Sequence, residues 1–174
     1  ISMKRGARKN VYILPKRKGQ VEEFGPGRAG VVMCPNCHSV YFKKAWQKSA
    51  EKFLAKRKNG PEVSFKMCPA CTMVKRGLYE GIVTIKDAPA KQMAEIIGLV
   101  KNFCAHATEK DPMDRLIAIK KDKKFVTITT TENQLAHKLA KHIIKSFKGS
   151  RALTLYGKND NVTARMEITF PKTA

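Results

Sequence analysis

Cys34-Pro35-Asn36-Cys37 and Cys68-Pro69-Ala70-Cys71 are two Cys-Pro-X-Cys motifs separated by thirty residues. Structural zinc sites are built from such paired ligands, and four thiolates match the tetrahedral coordination of Zn²⁺. We therefore predict one structural Zn²⁺ bound by Cys34, Cys37, Cys68 and Cys71. A redox role would need a single motif within a thioredoxin-type βαβ unit, and the sequence has no such context.

The region between the motifs carries a helical pattern. Its apolar residues recur at three- and four-residue steps: Trp46, Ala50, Phe53 and Leu54. This spacing predicts an amphipathic helix over residues 43–58 with a basic outer face. Residues 63–65 alternate as a short strand before the second motif. We expect Tyr41 and Trp46 to form a small core beside the metal rather than to stack on bases.

The sequence after Cys71 alternates between strand and helix patterns. Strands are predicted over 78–86, 115–120, 124–130, 151–156 and 161–170, with helices from Asp87 to about His106 and from Thr131 to Gly149. The predicted fold class is α+β, with a zinc-ribbon or treble-clef-like four-cysteine module and then a ferredoxin-like βαββαβ domain with one extra strand. The predicted divisions are a basic arm (1–30), the four-cysteine module (31–76) and the α/β domain (77–174).

The charge of the chain indicates a polyanionic partner. It has 35 Lys and Arg against 14 Asp and Glu, a net charge of +21, so neutralised phosphates would supply most of the affinity. Structured RNA is favoured over a DNA operator, because nothing resembles a helix-turn-helix or a major-groove finger. We predict RNA contacts at these basic residues: Lys4, Arg5, Arg8, Lys9, Lys16, Arg17, Lys18, Arg28, Lys43, Lys44, Lys48, Lys52, Lys56, Arg57, Lys58, Lys75 and Arg76.

Several other classes of function lack a sequence signal. There is no glycine-rich phosphate cradle, nucleophile elbow or carboxylate pair, so we predict no catalytic residues, no enzyme activity and no small-molecule substrate. No run of eighteen apolar residues and no signal-peptide pattern point to a membrane. We expect the natural chain to start at Met3. Cysteines arranged to bind metal suit a reducing compartment, the cytoplasm, and Cys104 is expected to be a small buried hydrophobe.

The two motifs and their flanks resemble a known family. Cys34-x2-Cys37 followed by Tyr41 and Trp46, and the second motif running into residues 75–86, are similar to the N-terminal region of the Nmd-three-like family, archaeal and eukaryotic nuclear export adaptors of the large ribosomal subunit. The resemblance covers roughly residues 31–170 and implies a zinc-bearing module that binds ribosomal RNA. Export activity is not implied, because family members usually carry more cysteine pairs and further C-terminal domains.

Charge, cysteines and resemblance together predict a zinc-stabilised rRNA-binding protein associated with the large ribosomal subunit. It would be a ribosomal protein, an assembly factor or a dormancy factor, with ribosomal proteins as further candidate partners of the α/β domain. Two alternatives stay open. One is a DNA-binding zinc-ribbon protein that assists transcription, and the other is an RNA-processing enzyme.

Overall fold

The structure, a computed structural model, describes residues 31–42, 44–48, 63–122, 124–157 and 160–171. These residues form two mixed β-sheets and three α-helices. The predicted α+β class is therefore confirmed. None of the helices in these ranges is long and apolar enough to cross a lipid bilayer.

The first sheet brings the two cysteine motifs to one place. Its strands are β1 (Val31–Met33), β2 (Val40–Phe42), β3 (Ala45–Gln47) and β4 (Val63–Phe65), in the order β3-β2-β1-β4. Strand β1 is antiparallel to β2 and parallel to β4. Because β1 and β4 run parallel, their carboxyl ends lie at the same edge of the sheet, and one cysteine motif follows each of them. The strand predicted over 63–65 is confirmed.

The helix predicted over 43–58 is wrong at its beginning. Residues 45–47 form β3, which pairs with β2 and places Trp46 opposite Tyr41. Lys44 lies in the turn between these strands with φ of 64°. A directly opposed aromatic pair stabilises a hairpin. The spacing of Trp46 from the following apolar residues also fits one face of a helix, which is why the sequence pattern predicted a helix here. Residues 43 and 49–58 of the predicted helix lie outside the described residues.

The second motif begins a short helix, α1 (Pro69–Arg76). Cys68 is its N-cap residue, and Pro69 occupies the first turn, where a missing N–H costs nothing. Gly77 ends the helix with φ of 66°, a left-handed conformation that glycine adopts without strain. The N–H of Leu78 then donates to the carbonyl of Met73 at 2.9 Å, which closes the last turn.

The second sheet contains five strands and carries the two longer helices. The elements are β5 (Gly81–Lys86), α2 (Met93–Lys110), β6 (Leu116–Lys121), β7 (Phe125–Thr130), α3 (Asn133–Ser146), β8 (Arg151–Gly157) and β9 (Asp160–Thr169). A 3-10 turn, Ala90–Gln92, precedes α2. Each strand and helix predicted after residue 77 is present, with ends displaced by up to six residues, the largest shift being the start of α2.

The order of these strands differs in one respect from a simple βαββαβ sheet. The order is β6-β7-β5-β9-β8, with β9 parallel to β5 and antiparallel to β8. In a βαββαβ unit the strand that follows the second helix lies beside the first strand. Here that strand, β8, lies at the edge, and the extra strand β9 occupies the inner position. The exact ferredoxin-like topology is thus not confirmed.

Burial explains why β9 rather than β8 takes the inner position. Met166 and Ile168 of β9 are buried on the helix-covered face, whereas Leu153 of β8 is 59% exposed on the other face. Opposite Met166 and Ile168, β5 contributes Val83 and Ile85 to the same core. The strand with the more regular apolar alternation therefore takes the inner position next to β5, where its apolar side chains pack under the helices.

Helices α2 and α3 cover one face of the second sheet. The core between them and the strands contains Ile96, Val100, Cys104, Leu135, Leu139 and Ile143. Each fully buried aliphatic side chain stabilises the fold by roughly 1.5–3 kcal/mol relative to an exposed one. Cys104 is 2% exposed within this core, as predicted for a small buried hydrophobe.

A loop between α2 and β6 links this core to the cysteine motifs. Met113 in this loop packs against the cluster of buried residues that contains Trp46 and the cysteines. The Thr131 hydroxyl donates to the carbonyl of Met113 at 2.5 Å and accepts from the N–H of Arg115 at 2.8 Å. The helix predicted to begin at Thr131 has Glu132 as its N-cap, and the buried Thr131 hydroxyl holds this loop.

Candidate metal centre

The four predicted ligands lie together. Cys34 directly follows β1, Cys37 lies in the turn that leads to β2, and Cys68 and Cys71 lie at the start of α1. Their four Sγ atoms lie within 4.8 Å of one another. The structure thus brings all four residues of the predicted zinc site into one cluster that can hold a metal ion.

Backbone hydrogen bonds shape the first motif into a tight turn. The N–H of Cys34 donates to the carbonyl of Ser39, and the N–H of His38 donates to the carbonyl of Cys34, both at 2.9 Å. His38 has φ of 58°, and its side chain is exposed. This turn folds Cys37 back over Cys34. Among the described residues, His38 contributes no ligand atom to the cluster.

The second motif is positioned by the sheet and by the start of α1. The N–H of Lys66 donates to the carbonyl of Met33 at 3.0 Å and extends the pairing of β4 with β1. Two further N–H groups point at sulfur: that of Cys68 donates to the Cys34 Sγ at 3.3 Å, and that of Cys71 to the Cys68 Sγ at 3.4 Å. Such donors stabilise thiolates, the form that binds metal.

Two polar side chains outside the ligand set also contact sulfur. The Asn36 amide donates to the Cys71 Sγ at 3.3 Å, and the Ser39 hydroxyl lies 3.2 Å from the Cys37 Sγ. Neither contact was predicted from the sequence. Both residues lie inside or just after the first motif, and hydrogen bonds around a metal site orient its ligands. This position in the sequence could have identified them as candidates.

Distances and donor chemistry fit a tetrahedral metal ion. With Zn–S bonds of about 2.3 Å, tetrahedral geometry requires sulfurs about 3.8 Å apart. The Sγ atoms of Cys37 and Cys68 are 3.6 Å apart, far beyond the roughly 2.05 Å of a disulfide. Four sulfurs form a soft donor set that suits Zn²⁺ or an iron–sulfur centre more than a hard cation. The residues present therefore fit such a group.

Burial and hydrogen bonding shift the thiol pKa values of these cysteines in different directions. Burial raises the pKa of the Cys68 and Cys71 thiols. Burial also opposes ionisation of Cys37, but hydrogen bonds from Ser39 and from neighbouring thiols outweigh it and lower the pKa to about 6. A dication would supply the charge that keeps all four sulfurs ionised together, so metal binding would release protons.

The surroundings of the cluster are apolar. Cys34, Cys68 and Cys71 are at most 2% exposed, and Trp46 is 8% exposed. The rings of Tyr41 and Trp46 lie 5.4 Å apart between centroids, and both belong to this small core. The expectation that Trp46 serves the core is therefore confirmed. Four thiolates at these positions could fill the coordination of a tetrahedral metal ion.

The predicted RNA-contacting residues are only partly within the described ranges. Lys44, Lys48, Lys75 and Arg76 are described, and all four side chains are exposed. Lys44 and Lys48 flank β3, while Lys75 and Arg76 form the last turn of α1. The remaining predicted contacts lie outside the described residues: Lys4, Arg5, Arg8, Lys9, Lys16, Arg17, Lys18, Arg28, Lys43, Lys52, Lys56, Arg57 and Lys58.

The fold and the cluster define a basic α+β protein with a four-cysteine site that can hold a metal ion. Comparisons of the chain with protein-family models, with curated proteins and with solved structures give no match.

Proposed function

We propose that this protein is a non-enzymatic, zinc-stabilised rRNA-binding protein that associates with the large ribosomal subunit. The observation that carries the proposal is the combination of a four-cysteine cluster with a net charge of +21. A metal-clamped scaffold holds basic side chains in fixed positions, and a polyanion with a defined shape is the partner that such a scaffold fits.

The proposed metal is Zn²⁺ in a treble-clef-like module. In such a module one ligand pair comes from a turn before a hairpin and the other from the start of a helix. Cys34 and Cys37 precede the β2–β3 hairpin, and Cys68 and Cys71 start α1. When bound, Zn²⁺ would tie β1 and β4 to α1 and contribute its binding energy to folding. The resemblance to the Nmd-three-like family supports the same metal.

RNA is the proposed partner for reasons of charge and shape. Lys44, Lys48, Lys75 and Arg76 are exposed on the elements that the metal would hold together. Neither of the cysteine motifs resembles a finger that enters the DNA major groove. The resemblance directs the proposal to ribosomal RNA. Ribosomal proteins are proposed to contact the face of the second sheet opposite α2 and α3, where Leu153 and Leu155 are exposed among the described residues.

Crosslinking in cells followed by sequencing of the bound nucleic acid tests the proposal. We expect fragments of large-subunit rRNA, together with sedimentation of the protein alongside large subunits in a sucrose gradient and its release by high salt. Recovery of DNA in place of rRNA would favour the transcription-related alternative. Turnover of RNA by the purified protein would favour the enzyme alternative.

A further inference from the structure

The outer face of α3 carries a row of lysines on a rigid support. Lys138, Lys141 and Lys145 are exposed and follow one another at steps of three and four residues. At about 100° per residue they lie within an arc of about 60°, and they extend over about 10 Å along the helix axis. We call these three residues the α3 lysine face.

The opposite side of the same helix fixes the direction of this face. Leu135, Leu139 and Ile143 are fully buried in the core against the second sheet. The helix therefore cannot rotate without exposing these apolar side chains to water, which is unfavourable. The α3 lysine face is held outward by the core, unlike lysines in a tail.

The charge of this face is balanced in part by Asp114, which lies in the same surface recess as Lys138 and is attracted to it. From residue 133 to residue 159 the sequence contains six Lys or Arg and no Asp or Glu. In the part of the chain that the structure describes, the ion pairs of Lys86 with Glu167 and of His106 with Glu109 involve no residue of α3. A row of cations of this kind attracts an anionic partner.

The apolar surface of the molecule argues for nucleic acid rather than a membrane. A helix that lies on a bilayer inserts an apolar face among the lipids, but the apolar face of α3 is buried in the core. The large apolar side chains exposed in the described ranges lie on other elements or turns: Phe42, Phe65, Val74, Phe125, Leu153 and Leu155. The α3 lysine face thus presents charge without apolar anchors.

We propose that the α3 lysine face is a second contact surface for the sugar-phosphate backbone of RNA. Lys138, Lys141 and Lys145 each neutralise a phosphate, so the α/β domain as well as the metal module contacts RNA. This inference rests on the proposed function and extends it to a surface outside the predicted RNA-contacting residues.

Salt-dependent binding tests the α3 lysine face. The probe is a fluorescein-labelled fragment of large-subunit rRNA, titrated with the full metal-loaded chain at several KCl concentrations. For the variant Lys138→Gln/Lys141→Gln/Lys145→Gln we expect the negative slope of log K against log [KCl] to become shallower by about two to three and the affinity to fall more than tenfold at low salt. Glutamine and lysine have similar helix propensity, so the melting temperature should be retained.

A matched variant removes the same charge elsewhere. Lys91, Lys110 and Lys121 are exposed in the 3-10 turn, at the end of α2 and at the end of β6. For Lys91→Gln/Lys110→Gln/Lys121→Gln we expect a slope change below about one. An equal loss in both variants would overturn the inference, because it would reflect net charge alone.

Two further outcomes separate this inference from the proposed function. If the wild-type chain binds the rRNA fragment and the α3 variant keeps the wild-type slope, the α3 lysine face is not a contact surface while the proposed function stands. If the wild-type chain does not bind the fragment, the proposed function fails and the inference fails with it. Loss of binding to phosphatidylserine vesicles by the α3 variant, with RNA binding intact, would assign the face to membranes and also overturn the inference.

Discussion

Cys68 combines two functions in a single side chain. Its Sγ belongs to the four-cysteine cluster, and it also caps α1 by accepting from the N–H of Cys71. Placing a ligand at a helix start aligns free N–H groups with thiolate charge. The helix and the metal site therefore depend on the same atom.

Replacement of this sulfur by oxygen separates the two functions. Serine is a good N-cap residue but a poor substitute for thiolate in a four-sulfur site. For Cys68→Ser we expect metal content to fall from one ion per chain towards zero, measured by elemental analysis of the purified protein. The matched variant Cys104→Ala, at a buried cysteine in the other core, should keep its metal. Full metal content in Cys68→Ser would show that Cys68 is not a ligand.

Cys104 offers a pH-dependent test of the second core. Burial, with a smaller effect of the Asp114 charge, raises the pKa of its thiol from 9.0 to about 12. The unfolded chain ionises this thiol at a lower pH than the folded chain does. Its contribution to stability is therefore complete below pH 9 and is lost as the pH rises towards 12.

Urea unfolding at pH 8 and pH 10.5 measures this contribution. We expect wild type to lose about 2 kcal/mol more unfolding free energy than Cys104→Ala between these two pH values. The comparison with Cys104→Ala cancels the ionisation of lysines and of the other cysteines. Equal losses in the two proteins would mean that Cys104 is not buried in the folded state.

At the scale of elements, Gly81 allows β5 and α3 to approach closely. A Cβ at this position would collide with the Thr130 hydroxyl and lie 2.6 Å from the Ala136 Cβ and 2.9 Å from the Glu132 carbonyl oxygen. Gly98 in α2 has nothing within 4 Å of the same hypothetical atom. Glycine is thus required by close packing at position 81 but not at position 98, a difference that the sequence alone does not show.

Substitution of Gly81 and of Gly98 by alanine should change the free energy of unfolding in opposite directions. We expect Gly81→Ala to destabilise the protein by about 1–3 kcal/mol through overpacking. Gly98→Ala should stabilise it by about 0.5–1 kcal/mol, because glycine in a helix interior loses more backbone entropy on folding than alanine does. Urea unfolding of both variants checks the pair. A neutral Gly81→Ala would contradict the close packing of β5 against α3.

Local sequence patterns predicted the structure well where a single local feature, such as ligand spacing or apolar periodicity, determines it. The cysteine spacing predicted the ligand cluster, and the strand pattern over 161–170 predicted β9. Strand order and strand pairing, which depend on residues distant in sequence, were harder to predict. The insertion of β9 between β5 and β8 depends on which strand buries more apolar surface, and the spacing of Trp46 fits a helix as well as the hairpin that Tyr41 completes. Residues such as Thr131 and Asn36 act through partners distant in sequence.

In the molecule as a whole, the described residues form two separate hydrophobic cores. One surrounds the cysteine cluster, and the other lies between the second sheet and helices α2 and α3. Met113 contacts the first core, while the carbonyl of Met113 is held by Thr131 at the start of the helical layer. We infer that metal in the first core orders the basic residues near it, while the second core supports the α3 lysine face independently of metal.

Sedimentation of metal-loaded and metal-stripped protein with purified large ribosomal subunits at increasing salt tests whether the metal module supports ribosome binding. We expect the metal-loaded chain to sediment with the subunits at low salt and to be released as salt rises. The stripped chain should bind more weakly and regain binding when Zn²⁺ is restored. A metal-free chain that is fully folded and binds as well as the loaded one, or a loaded chain that stays in the supernatant at low salt, would contradict the account.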